Sequence, residues 1–224
     1  MKINDKKGLI KYLKEFVTPE RFETINRVLS KRTRYLTVVL EDLYQPHNAS
    51  AVLRSCDGFG IQDVHIIENR NEFRPTKGVT IGSDRWITQH NYQAEDQKNT
   101  QRCYRKLKKQ GFKLIATTPH EKEVGINQIP LDQKTALIFG AELNGLTDYA
   151  LEEADGYAQI PMQGFSESFN ISVSAALCLY DLSTRMRNEE RNWKLSEKEM
   201  IDLRLEWLRN SIREVEKIEQ RFFT

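Results

Sequence analysis

The sequence predicts an α/β fold: a mostly parallel sheet with helices on both faces, flanked by helical segments at the two ends of the 224-residue chain. Three observations carry this. The runs LTVVL (36–40), DVHIIE (63–68), FKLIAT (112–117) and TALIF (135–139) have strand length, and LTVVL is a continuous apolar run, as in a sheet covered on both faces. Helical patterns alternate with them. Outside residues 35–190 the composition turns to charged, amphipathic helix. The expected organisation is a helical extension over 1–34, one α/β domain over 35–190 and a second helical extension over 191–224.

Taken in order, residues 4–17 carry Leu9, Ile10, Leu13, Phe16 and Val17 on one helical face. Thr18-Pro19 supplies a cap and a first-turn proline for a second helix with the stripe Phe22, Ile25, Val28 and Leu29. Strand 36–40 follows. Asn48 is placed to cap a helix over 49–57, which Gly58 and Gly60 end. After strand 63–68, residues 69–84 are polar, contain Gly78 and Gly82, and read as a mobile loop. A short strand is expected at 85–89, then a basic helix over 94–110 ending at Gly111. Strands 112–117 and 135–139, a helix near 147–154 and a strand over 157–161 complete the sheet. The segment 170–180 is apolar on nearly every side, which predicts burial all round, with Ser168, Asn170 and Ser172 at its N-terminus. Ser196-x-x-Glu199 is a capping box. The helix it opens carries Ile201, Leu205, Leu208, Ile212, Val215 and Phe222 as a seam expected to pack on the two N-terminal helices.

Composition narrows the function. Apolar residues make up 39% and charged residues 29%, enough for a core and a solvated surface, and the net charge is +2. Charge is unevenly spread: residues 1–34 carry ten Lys/Arg against four acids, and residues 102–113 carry six and no acid. Such surpluses can track a phosphate backbone or form solvated helix faces. Cys56, Cys103 and Cys178 lie far apart without a Cys-x-x-Cys or paired His, against a metal site or disulfide framework. No apolar run approaches the roughly 20 residues of a membrane helix, and no signal-peptide core stands at the N-terminus. A cytoplasmic location is the expectation. Asn48-Ala49-Ser50 and Asn170-Ile171-Ser172 fit the glycosylation pattern, but without secretion they need another reading.

No phosphate-cradling Gly-x-x-x-x-Gly-Lys loop, no Gly-x-Gly-x-x-Gly after the first strand and no Gly-x-Ser-x-Gly elbow is present. What exists is three strand–loop–helix junctions: Pro46 through Arg54, Phe139 through Leu146, and Ile160 through Asn170. Ligands of open α/β sheets bind beyond the carboxyl ends of strands, where such junctions lie. Singly the residues are ordinary: Asn48 as a cap, Arg54 as a surface ion-pair partner, Glu142 as a solvated acid.

Together, PHNASAVLRSCDGFG, FGAELNGL and IPMQGFSESFNISVSAAL resemble in order and spacing the three motifs of the TrmH-type SPOUT methyltransferases, over about residues 36–187. The lead-in RFETINRVLSKRTRYLTVVLED is similar to the branch that methylates the ribose of the D-loop guanosine at tRNA position 18. The resemblance implies a C-terminal trefoil knot, S-adenosylmethionine as cofactor, tRNA as substrate, no metal, and a homodimer with its site at the subunit interface. The apolar residues Val173, Ala175, Ala176, Leu177, Leu179 and Tyr180 suit a helix facing the sheet on one side and a partner on the other. Carried onto this chain, the cofactor pocket is Thr117, Thr118, Gly140, Ile160, Pro161, Met162, Ser168 and Asn170. Arg54, Asn48 and Glu142, with Ser168 and Asn170, stand on the catalytic side. In the family the residue matching Arg54 is proposed as base; a guanidinium resists deprotonation, so a phosphate clamp is the preferred role. Phe169 departs from the family's usual Leu. Tyr44, Arg70 and Arg74, the 1–34 extension and helix 102–113 are candidate RNA surfaces. The same chemistry on ribosomal RNA or an anticodon-loop ribose, and a non-catalytic RNA-binding protein on the same fold, are the alternatives.

Overall fold

The computed structural model describes residues 1–118, 124–189 and 192–223. In chain order the helices are α1 (Ile3–Leu13), α2 (Pro19–Leu29), α3 (Pro46–Phe59), α4 (Lys77–Thr80), α5 (Asn99–Lys109), α6 (Asp148–Glu152), α7 (Ile171–Asn188), α8 (Glu197–Ser211) and α9 (Val215–Phe223). The strands are β1 (Leu36–Glu41), β2 (Asp63–Ile67), β3 (Thr88–Tyr92), β4 (Lys113–Thr117), β5 (Val124–Gly125), β6 (Thr135–Phe139) and β7 (Gly156–Gln159). The chain divides into two units, Met1–Thr33 with Lys194–Thr224, and Arg34–Trp193. The boundary expected between residues 190 and 191 lies outside the described residues.

In the larger unit all seven strands pair in parallel, in the order β3-β2-β1-β6-β4-β7-β5. Successive strand residues point to opposite faces, and both faces are covered. Val38, Leu40, Val64, Leu137 and Phe139 pack with Val52, Leu53 and Cys56 of α3 and Ala175, Leu179 and Leu182 of α7. Val39, Leu114, Ala116, Ala136 and Ile138 pack with Cys103, Tyr104 and Leu107 of α5 and Ala150 of α6. This double covering is why β1 is buried at every position and why its sequence does not alternate. Because all strands run the same way, the loops after β1, β4, β6 and β7 gather at one end of the sheet.

In the helical unit, Thr18 accepts a hydrogen bond from the Arg21 N–H at 3.2 Å, and the Ser196–Glu199 capping box is closed in both directions. Leu9, Leu13, Ile25, Leu29 and Trp207 form its interior. Lys6 and Lys7 of α1 pair with Asp202 and Glu197 of α8, which offsets part of the N-terminal positive excess.

Several expectations shift. Helix α3 starts at Pro46, not Ala49, because proline is pre-organised for a first helical position. Asn48 therefore lies inside the first turn and is buried rather than capping it. The short strand sits at Thr88–Tyr92 instead of 85–89. The 69–84 loop, read as mobile, is tied down. Asp42, in the left-handed region at φ 58°, accepts the N–H groups of Asn69, Arg70 and Asn71 on one carboxylate oxygen, and Ser50 Oγ accepts the Thr76 N–H at 2.8 Å. Helix α7 is not buried all round: Val173, Leu177 and Tyr180 are 44%, 42% and 64% exposed along one stripe. The single C-terminal helix is two, α8 and α9, broken where Glu214 takes φ 51°.

His65 of β2 is buried, with Nδ1 3.0 Å from the Tyr92 hydroxyl and its ring stacked on His90 at 4.5 Å. Burial first, and the neighbouring His90 next, hold its pKa down from 6.5 to about 3, against the raising influence of Asp63. The unfolded chain then binds the extra proton first. Stability from neutral His65 is complete above pH 6.5 and is lost as the pH falls from there towards 3. Melting temperatures measured across that window will fall less steeply with acid for His65→Leu than for the wild type.

Candidate active site

A cavity of about 750 Å³ opens at the carboxyl ends of the strands. Its walls are the Phe139–Leu146 turn after β6, the segment Ala158–Met162 at the end of β7, residues 167–171 leading into α7, Thr117 and Thr118 after β4, and Gln45 and Asn48 at the start of α3. The β6 turn is very tight. Ala141 and Gly145 exchange backbone hydrogen bonds of 3.0 and 2.8 Å, and Gly145 takes φ 66°. A Cβ on Gly140 would stand 2.3 Å from the Gly145 carbonyl carbon, so only glycine closes this turn.

Three junctions far apart in the chain meet in one hydrogen-bonded chain. Glu142 accepts from Asn48 Nδ2 at 2.8 Å with one oxygen and from the Tyr44 N–H at 3.1 Å with the other. Asn48 Oδ1 accepts from Asn170 Nδ2 at 3.2 Å. Asn170 caps α7, its Oδ1 accepting the Ser172 N–H at 2.9 Å and the Ser172 hydroxyl at 2.6 Å. The pocket side is fixed too: the Thr117 hydroxyl donates to the Ile138 carbonyl at 2.8 Å, and the Thr118 N–H to the Ala158 carbonyl at 3.2 Å.

Of the residues singled out in the sequence, Asn48, Thr117, Thr118, Gly140, Glu142, Ile160, Met162, Ser168 and Asn170 line this cavity, and so does Phe169. Pro161 lies between two lining residues without lining it itself. Arg54 is elsewhere. Six residues beyond Asn48, it stands about 9 Å further along α3 and about 120° round it. It is exposed, outside the cavity, with no ion pair among the described residues. Lining residues that the sequence reading passed over include Gln45, Glu167, Ser174 and Cys178. Ser174 and Cys178 follow Asn170 at steps of four, one face of a helix, and that spacing was available as a signal.

The chemistry of the lining is selective. Among the described residues it holds two carboxylates, Glu142 and Glu167, and no Lys, Arg or His. Opposite charges attract more strongly in a recess than in open water, so the cavity favours a cationic ligand. The lining also holds no activated nucleophile. Burial first, then Asp181, push the Cys178 thiol up to about 12, which keeps it protonated. No cluster of His, Cys, Asp or Glu suited to a metal occurs among the described residues.

The profile of the SpoU rRNA methylase family matches residues 35–180. The chain is 39% identical over 207 residues to a tRNA (guanosine(18)-2'-O)-methyltransferase of Borreliella burgdorferi, covering 92% of this chain and 93% of that protein. Its fold matches the crystal structure of the A. aeolicus TrmH/SpoU tRNA modifying enzyme with a TM-score of 0.75 at 28% identity, covering 86% of this chain and 96% of that one. It also matches the SpoU methyltransferase AviRb of Streptomyces viridochromogenes, crystallised with its cofactor AdoMet, with a TM-score of 0.60 at 20% identity over 73% of this chain and 65% of that one; this is a likeness of fold.

The tight β6 turn makes a direct prediction. Gly140→Ala will lower the free energy of urea unfolding by about 1–3 kcal/mol, the range of an overpacked contact. Gly164→Ala, where an added Cβ meets nothing within 4 Å, will leave it unchanged.

Proposed function

This chain belongs to the SpoU rRNA methylase family, and from that premise we propose that it methylates the 2'-hydroxyl of a tRNA ribose, that of guanosine-18 in the D-loop, with S-adenosylmethionine as cofactor. The observation that carries the reading is the meeting of all three junctions around a cavity whose described lining holds two carboxylates and no base. The activity of the 39%-identical relative, a tRNA (guanosine(18)-2'-O)-methyltransferase, supports the choice of tRNA and of its nucleotide.

The residues present fit that cofactor. S-adenosylmethionine carries positive charge on its sulfur and ammonium groups, and when bound supplies an electrophilic methyl. Thr117, Thr118, Gly140, Ile160 and Met162 would hold it. Methyl transfer to a hydroxyl removes positive charge, so no oxyanion hole is required; in-line placement and a route for the proton are. Glu142 fixes Asn48, and Asn48 fixes Asn170, so the two amides can orient the ribose hydroxyl. Arg54 clamps a substrate phosphate bidentately, which makes alkoxide character cheaper while the proton leaves to phosphate or water.

The position of Arg54 calls for a second copy of the chain. Asn48 faces the cavity of its own chain and Arg54 does not. The exposed stripe of α7 runs along α3, where the Tyr180 ring meets Phe59 at 6.3 Å. An isologous homodimer closed through α3 and α7 covers that apolar stripe and brings Arg54 towards the partner's cavity. The trefoil knot belongs to the same reading: β7 lies between β4 and β5, both earlier in the chain, and α7 then returns to pack on α3. For the RNA, α5 offers Arg105 and Lys109, both exposed, while Arg102 and Lys108 are engaged by Asp96 and Glu153. The 1–34 and 191–224 extensions form a helical unit that we assign to RNA contact. The reading carries a cytoplasmic location with it, where tRNA is modified; among the described residues no helix is long and apolar enough to cross a membrane.

Labelled S-adenosylmethionine incubated with total RNA will place its methyl on guanosine-18 of tRNA, mapped by nuclease digestion. Label in ribosomal RNA or at an anticodon ribose would redirect the substrate, and no label in any RNA would sink the enzyme reading. Co-expression of Arg54→Ala with Asn170→Ala tests the shared site. If Arg54 serves its partner, random pairing restores about one quarter of the wild-type sites; if it serves its own chain, none is restored.

A further inference from the structure

Glu41, the last residue of β1, is 1% exposed and lies outside the lining of the cavity. It has no cationic partner among the described residues. Its carboxylate is satisfied by neutral donors: the Thr100 hydroxyl at 2.6 Å and the Thr147 hydroxyl at 3.0 Å on one oxygen, the Thr147 N–H at 3.0 Å on the other. Taking a carboxylate out of water is costly even when it is hydrogen-bonded, and an apolar side chain would bury there without that cost. What the acid adds is placement.

Thr147 is the residue placed. It follows directly on the Phe139–Leu146 wall of the cavity. Its hydroxyl donates to Glu41 and accepts the Ala150 N–H at 3.2 Å, so the same oxygen caps α6, whose Leu151 also lines the cavity. The near end of the wall is held by the Gly140–Gly145 turn and by Glu142 on Asn48. The far end has Glu41.

We infer that Glu41 is a positioning residue for the cofactor: through Thr147 it sets the far end of the β6 wall and the start of α6, and so sets affinity for S-adenosylmethionine without touching it. The inference rests on the cofactor proposed above. It requires that affinity respond to the Glu41–Thr147 contact more than to general loss of stability.

Binding of S-adenosylmethionine to the full chain, measured by calorimetry well below the melting temperature, tests this. Glu41→Gln puts an amide donor against the donors of Thr147, and Thr147→Val removes the hydroxyl while keeping its shape. Each is expected to weaken binding about tenfold or more, the scale of one lost hydrogen bond to a charged group. Thr147→Ser keeps both roles of the hydroxyl and stays within about twofold of wild type. Thr37→Val is the control. It removes another buried hydroxyl bond of β1, to the Asp63 carbonyl at 2.7 Å, near the strand's opposite end. It should lower the melting temperature and leave affinity unchanged. Unchanged affinity in both Glu41→Gln and Thr147→Val, or equal weakening in Thr37→Val, overturns the inference. Failure of the wild type to bind overturns the cofactor reading instead.

Discussion

Asn48 is buried in the first turn of α3 with its side-chain amide engaged on both sides: Nδ2 donates to Glu142 at 2.8 Å and to Gln45 at 3.2 Å, and Oδ1 accepts from Asn170 at 3.2 Å, which leaves one acceptor position open. A carboxamide is donor and acceptor in one rigid plane. Aspartate offers no donor to Glu142, and leucine offers nothing to either partner. Each partner sits beyond a different strand, so this one group holds the ends of β1, β6 and β7 in a common geometry. The net worth of each such bond is only about 1 kcal/mol. The asymmetry matters more, because losing the amide would strand partners on two loops at once.

That arrangement depends on where a helix begins. Read as a sequence, Asn48 before an apolar helical run is a capping residue, and the rule behind that reading is sound. Pro46 overrides it. With its φ already helical and no N–H to lose, proline starts α3 two residues ahead of Asn48, and the amide turns inward. The other departures have equally local causes. The 69–84 loop looked mobile because its polar residues and glycines carry no visible partner in sequence; the partners, Asp42 and Ser50, lie more than twenty residues away. The break between α8 and α9 rests on one left-handed residue, Glu214, in a run whose apolar spacing continues across it. Periodicity reports which residues share a face, not whether the backbone between them is continuous.

The sheet was legible because strands buried on both faces leave apolar runs, plainest in β1 and β6; β2 is buried at every position yet carries Asp63 and His65. β3 was misplaced by three residues because it is an edge strand, half exposed, and its sequence TQHNY carries no such signal. For the cavity, the family resemblance named nine of its lining residues, seven of them in the three junctions and Thr117 and Thr118 after β4. Glu41 and Thr147 stayed invisible for the opposite reason: a Glu at a strand end and a Thr before a short helix are what any surface loop contains. Only through-space geometry shows that the acid is buried and that the two meet.

Two electrostatic tasks are separated within the larger unit. Among the described residues the cavity lining holds two carboxylates and no cation, while the exposed side of α5 carries Arg105 and Lys109 beyond the reach of its own acids. A polyanion is repelled by the first surface and drawn to the second, and a small cation behaves the other way. The two ligands of a methyl transfer to RNA have these opposite charges. Arg54 fits the same scheme: it lies outside its own chain's cavity, where it would oppose a cationic cofactor, and is exposed where a phosphate can reach it.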